Sequence, residues 1–327
     1  MLAEKLHKAY DTNQKPKILV IGDLMIDHYI FGSANRLSPE APVPIVNVSK
    51  ESKIIGGAAN VASNLVDLGA KVYLAGIVGD DQAGEEMKVL LTEKSIDTSL
   101  ILSDKSRKTT IKTRIIAGTH QIVRIDKEDI HDISIPLEDL FLEQISSQIA
   151  EVNMVILSDY NKGVLTHSLS QKIISLCEKL QVKVIVDPKG LDYSKYRGAY
   201  IIKPNRKELA EAAKMERINT EDTLVQAAQV ILNITNASHL VVTLSEAGIA
   251  IIDQGNCQII PVVATEVYDV TGAGDTVIAT LAYCLSFGFT IEESAVIANY
   301  AASIVIKHIG SATTSIPEII TSLKSNV

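Results

Sequence analysis

Towards the C-terminal end, Asp269-Val270-Thr271-Gly272-Ala273-Gly274-Asp275-Thr276 gathers two carboxylates, two hydroxyls and two glycines into eight residues. This polar turn runs into the apolar segment Val277 to Leu285, which reads as a helix. A turn of that kind aims free backbone N–H groups into one spot at the positive end of the helix dipole. Such a spot suits an anion. A carboxylate there is poor design for binding alone. It makes sense if Asp275 takes a proton from a nucleophile while the amides of Gly272, Ala273 and Gly274 hold a transferring phosphoryl group. The plainer alternative is an ordinary strand-to-helix turn in which Asp275 caps the helix. Asp269 and Thr271 add oxygen ligands just upstream, and Asn299 and Gly310 lie in a following helix–loop segment suited to a nucleotide pocket. At a helix N-terminus, Asp275 is expected to have a low pKa.

The absent motifs narrow the chemistry. No GxxxxGK[ST] and no GxGxxG after the first strand occur, which argues against P-loop and dinucleotide-binding enzymes. HExxH, paired CxxC and GxSxG are missing as well. What remains is phosphate chemistry without a P-loop.

The elements that would position these groups follow from periodicity. Lys17 to Gly22 is a β-branched run ending in glycine and reads as a buried parallel strand. Residues 23–48, spaced by Pro39, Pro42 and Pro44, read as an extended excursion. Gly56-Gly57-Ala58-Ala59-Asn60 opens an amphipathic helix to Leu68. Lys108 to Asp126 alternates around Gly118-Thr119-His120, as two strands joined by a turn. Paired with the excursion, that ribbon makes a small β lid, from about 23–50 and 106–126. From Leu137 onward, strands and helices alternate with short connections, implying a mostly parallel sheet with helices on both faces. Polar clusters at 23–27, 158–162, 187–189, 203–208 and 243–248 fall at strand ends, where an open α/β sheet binds ligands.

The bulk numbers agree with an enzyme core. The 327 residues are 46% hydrophobic and 21% charged, which suits one large α/β domain with an excursion, or two ordinary domains. The formal net charge of −8 and the absence of Trp speak against nucleic-acid binding. Cys177, Cys257 and Cys284 have no CxxC spacing and read as free thiols of a reducing, cytoplasmic setting. No uncharged run reaches the ~18 residues of a membrane span, so no membrane partner is expected.

Gly56-Gly57-Ala58-Ala59-Asn60-Val61-Ala62 and Asp269-Val270-Thr271-Gly272-Ala273-Gly274-Asp275-Thr276 resemble the two signature motifs of the ribokinase-like (PfkB) carbohydrate kinases, in the right order. The resemblance spans about Lys17 to Pro317. It implies one kinase domain over 1–327, a three-layer α/β/α sandwich with a β lid. Within the family, Arg36 to Pro44, Leu157 to Tyr160, Asp187 to Gly190 and Glu266 to Val270 are most similar to the branch that phosphorylates D-glycero-β-D-manno-heptose 7-phosphate for lipopolysaccharide synthesis. That branch often carries an adenylyltransferase half; no HxGH nucleotidyl-transfer motif occurs here, so kinase activity alone is expected. Another sugar or sugar phosphate, or a non-catalytic sensor, are the competing readings.

Matched residue by residue, the resemblance makes Asp275 the base and Gly272, Ala273 and Gly274 the anion hole. Asn205 and Glu208 match an Asn-x-x-Glu element that organises Mg²⁺ and its waters, a cation that prefers oxygen ligands; a helix cap with Glu208 at the capping-box position is the alternative. Asp27, Gly56, Gly57 and Asn60 match sugar-binding positions. Thr243, Ser245 and Gly248 lie where the family binds ATP phosphate and ribose, and Asn299 beside the adenine, although such polar residues also form plain turns. Asp269 and Thr271, with carbonyls from Ile306 to Gly310 and Ser315, resemble a monovalent-cation site, which brings K⁺ into consideration. A phosphorylated substrate needs cations, for which Arg36, Arg114, Arg124, Lys162 and Lys189 are candidates, Arg36 and Lys162 foremost. The apolar lid faces (Ile111, Ile115, Val123; Ile45, Val48) imply a lid-to-lid homodimer.

Overall fold

The computed structural model describes residues 1–12, 14–262, 266–308 and 310–325. Twelve strands form its sheets: β1 (Lys17–Leu37), β2 (Pro44–Gly57), β3 (Lys71–Gly79), β4 (Leu100–Asp104), β5 (Thr110–Ala117), β6 (His120–Lys127), β7 (Met154–Ser158), β8 (Lys183–Asp187), β9 (Ile201–Ile202), β10 (His239–Thr243), β11 (Ile249–Ile252) and β12 (Cys257–Ile260). The main sheet runs β12-β11-β10-β9-β8-β7-β1-β3-β4. Its pairs from β4 through β10 are parallel, and β11 and β12 close one edge antiparallel.

Alternation along β1 explains the layering. Ile18 and Val20 pack into one apolar layer with the helices Ala58–Asp67, Ala273–Ser286 and Ile291–Val305. Leu19 and Ile21 pack into the other, with the helices Ile135–Ile149, His167–Lys179 and Glu221–Thr235. A central strand buried on both faces needs such an unbroken β-branched run. No helix among the described residues is long and apolar enough to cross a membrane.

One sequence expectation fails at Gly22, where the first strand was to end. Instead β1 continues to Leu37 and leaves the main sheet to pair antiparallel with β2 and parallel with β5. The strand can carry Asp23 through the interior because the backbone N–H groups of Tyr160, Lys162 and Val164 all donate to that carboxylate. With β6 paired antiparallel to β5, these strands build the lid. The helix expected from Val277 also begins earlier, at Ala273, with Gly272 as its N-cap. Asp275 therefore lies within the first helical turn rather than ahead of it.

Candidate active site

Gly272 adopts φ 79°, a left-handed conformation that suits glycine and turns the chain sharply into the helix Ala273–Ser286. The N–H of Ala273 bends back to the Val270 carbonyl at 3.2 Å. This departs from the expected three-amide anion hole, because a tight turn before the helix uses that donor. The N–H groups of Gly272, Gly274 and Asp275 have no internal acceptor among the described residues and remain available at the positive end of the helix.

The carboxylate of Asp275 is buried and held at both oxygens. Asn60 Nδ2 donates to Oδ2 at 2.6 Å, and the Tyr160 hydroxyl donates to Oδ1 at 2.8 Å. Asn60 is in the first turn of the helix Ala58–Asp67, whose side-chain amide at Asn64 also receives the Thr276 hydroxyl on its Oδ1 at 2.7 Å. The two glycine motifs thus meet as a pair of packed helix N-termini. Burial raises the pKa of Asp275, against the Asn60 and Tyr160 hydrogen bonds and the charge of Lys203. The low value expected at a helix N-terminus is overturned, since desolvation outweighs dipole and donors.

Asp275, Tyr160, Lys203 and the Gly272–Gly274 turn form one wall of a cavity of about 730 Å³. Its other walls bring together Asn205, Glu208, Thr243, Ser245, Gly248 and Asn299, all anticipated from the sequence. Asn205 and Glu208 make a complete capping box, and Glu208 also receives Lys189 Nζ at 2.5 Å. The capping alternative is therefore present in the structure, and it fixes both side chains at the cavity edge. Asn299 is buried, its Nδ2 donating to the Ile260 carbonyl at 3.1 Å.

The sugar-side candidates lie across Asp275, under the lid. Asp27 is buried and ion-paired with Arg114 of β5. Gly56 sits so close that a Cβ added there would lie 2.3 Å from Asp27 Oδ2. Gly57 forms the N-cap preceding Ala58.

The basic candidates divide. Lys162 pairs with Glu128 at 2.7 Å, Arg124 with Asp126 at 2.8 Å, and Arg114 with Asp27. Arg36 is exposed towards the far end of β1, opposite Ile45, and is not among the residues lining the cavity. Asp269 accepts from Thr271 N–H and hydroxyl at 2.9 and 2.7 Å and from Gly310 N–H at 2.9 Å. Burial pushes its pKa up, but these donors and Arg114 prevail and leave it below the ordinary value. The Ile306 carbonyl accepts the amides of Tyr268 and Asp269 at 2.8 and 3.1 Å. Ile309, part of the expected cation loop, lies outside the described residues.

Sequence reasoning missed four groups. Tyr160 was within a recognised polar cluster but carried no motif. Lys203 is almost fully buried, pairs with Asp187 at 3.0 Å and lines the cavity. Burial pushes Asp187 up to about 7; Lys203 opposes this, while Asp275 and Glu208 add to it. Lys112, on the lid strand β5, has its pKa lowered by burial and by Lys162. A lysine within an alternating strand gives no signal of where it points.

A model of the pfkB family carbohydrate kinases matches residues 15–319. The bifunctional protein HldE of Sulfurimonas denitrificans is 50% identical over 304 residues, 93% of this chain and 63% of that protein. That of Wolinella succinogenes is 50% identical over 315 residues, 96% of this chain and 66% of that protein. The chain thus spans about two thirds of the length of the curated relatives it matches, just under in both cases. Among solved structures, Arabidopsis thaliana ribokinase complexed with ribose and ATP superposes with a TM-score of 0.75 at 20% identity, covering 95% of this chain and 99% of that one. Escherichia coli phosphofructokinase-2 in complex with potassium gives 0.76 at 20% identity, with the same coverage. The fold is ribokinase-like, and the chain belongs to the pfkB family of carbohydrate kinases.

Proposed function

We propose that this chain transfers the γ-phosphoryl group of ATP to the anomeric hydroxyl of D-glycero-β-D-manno-heptose 7-phosphate, giving the 1,7-bisphosphate and ADP. The observation that carries this reading is Asp275, buried between Asn60 and Tyr160 and beside free helix N-terminal amides. The choice of sugar is supported by about 50% identity to HldE proteins over most of the chain. By that similarity, the reaction serves ADP-heptose formation for lipopolysaccharide core synthesis.

In this reading Asp27 and the Gly56-Gly57 backbone orient the sugar, and Asp275 accepts the proton of the attacking hydroxyl. The hydroxyl oxygen bonds to the γ-phosphorus as the β–γ bridging P–O bond breaks, and ADP departs with that electron pair. The free amides of Gly272 and Gly274, with Lys203 nearby, stabilise charge on the transferring group. Thr243, Ser245, Gly248 and Asn299 hold the nucleotide. Lys162 and Lys112 on the lid side supply cations for the substrate phosphate, with Arg36 the more distant candidate.

Mg²⁺ fits this donor set. Asp187, Asp275 and Glu208 bring three carboxylates to this cavity against Lys203 and Lys189. Among the described residues no three acidic, His or Cys side chains converge to hold a metal directly. Asn205 and Glu208 would therefore hold the ion through water, and it would neutralise phosphate charge. Asp269 and Thr271 are the site for a monovalent cation such as K⁺, if one is used. Exposed Val48, Val123 and Ile125 on the lid support a homodimer formed through it.

The test is turnover with a panel of sugars and sugar phosphates, with Asp275→Asn as control. Preference for the 7-phosphorylated heptose and a loss of about 10²- to 10⁴-fold in the control are expected. Equal rates on unphosphorylated sugars would overturn the substrate assignment.

A further inference from the structure

Asp275 has both oxygens occupied before any substrate arrives. One is held by Asn60, a residue of the second glycine motif. The other is held by Tyr160, which lies outside both glycine motifs and comes from the loop after β7, on the opposite side of β1 from β3. The Tyr160 side chain is half-buried in the cavity wall, and its phenol has no other hydrogen-bond partner among the described residues. Its backbone is pinned separately: the Tyr160 N–H donates to Asp23 Oδ2 at 2.8 Å, and Asp23 also receives Lys162 and Val164. The main chain that carries the ring is thus anchored, and the ring itself is held by its hydroxyl's bond to Asp275. Its other face meets Lys112 of the lid, with Nζ at 5.9 Å from the ring centroid.

We propose that Tyr160 is a positioning residue for the base: its hydroxyl orients Asp275, keeps it ionised, and holds one carboxylate oxygen along the line on which the acceptor hydroxyl must approach. The inference rests on the reading of Asp275 as base. A single anchor at Asn60 would leave the carboxylate free to rotate about its last bond. Two donors on different oxygens fix its plane, and hydrogen bonds to the charged form favour that form.

The charged and titratable surroundings are few. Lys203 faces Asp275 from the segment after β9, and Asp27 faces it from β1. Asp187 of β8 feels both Asp275 and Lys203. Tyr160 itself faces Asp275, Asp187 and Asp27, with Lys112 over its ring. Among these, Asn60 and Tyr160 are the direct hydrogen-bond donors to the Asp275 carboxylate. Burial raises the Asp275 pKa, so loss of either donor moves it higher still.

The experiment is the pH profile of kcat/KM for the sugar phosphate in Tyr160→Phe, which keeps the ring and the packing. Loss of the donor is expected to move the acid limb upward by about one pH unit and to lower kcat, with KM for ATP unchanged. Replacing Tyr160 with a fluorotyrosine of lower phenol pKa strengthens the donor and should move the same limb downward. A purely structural tyrosine would not produce opposite shifts. An acid limb unmoved in both proteins would overturn the role of Tyr160 while leaving Asp275 as base. An Asp275→Asn enzyme as fast as the parent would overturn both.

Discussion

Gly56→Ala is the sharpest test of how the lid sets the sugar site. Gly56 lies across from Met25 in the β1–β2 register, two residue pairs from Asp27, whose carboxylate it faces. A Cβ there would sit 2.3 Å from Asp27 Oδ2 and 3.1 Å from both Asp27 Cγ and Met25 Cγ. Ordinary contact begins at 3.4 Å, so the carboxylate must retreat by 3.4 − 2.3 = 1.1 Å. It cannot do so freely, because Arg114 grips its other oxygen and the pair is largely buried. Forcing a methyl into such a site costs about 1–3 kcal/mol of stability. Displacing a substrate-orienting group by about 1 Å costs on the order of 10²-fold in rate. Steady-state kinetics should show kcat/KM for the sugar phosphate down by about that factor, while KM for ATP stays within about twofold. Thermal melting should report the stability loss independently. If Gly56→Ala keeps kcat/KM within about threefold of the parent, Asp27 is not an orienting ligand and the close approach is only packing.

Three further outcomes are expected. Asp187 stands at about 7 in the folded protein through burial, so it keeps a proton that the unfolded chain releases near pH 4. Its contribution to stability is full below the unfolded value and is lost as pH rises through about 7, so Asp187→Asn should flatten the decline in stability between these limits in denaturant melts; an unchanged slope would count against this assignment. Asp23, pushed up to about 6 by burial and Asp159, would retain a smaller decline of the same sign in that variant. On the lid, Ile125 is 53% exposed on β6, whose residues are all exposed. Ile125→Lys should shift the chain to monomer in light scattering while its helical content is kept, and a dimer that survives would place the interface elsewhere.

Much of the site was legible because it is written in contiguous stretches. The turn Gly272–Asp275 needs glycines where the chain reverses, and the Asn205 and Glu208 spacing is a helix-start signal, so both announce themselves locally. The parallel sheet was legible from β-branched runs separated by helical segments. The length of β1 was not, because Asp23 and Asp27 look like the end of a strand until their partners are known. Those partners, Val164 and Arg114, lie 141 and 87 residues away.

The sequence alone therefore determined that this chain has a glycine turn with an acid in it ahead of a helix, a second glycine motif and a sheet with a lid. Tertiary structure decided what that acid is. Its pKa, its two donors and its relation to Lys203 depend on burial and on side chains from four separate segments. Desolvation and hydrogen bonding act through space and over a few ångströms. Residue order fixes which neighbours are adjacent along a helix or strand, and only the folded packing fixes which of them meet Asp275.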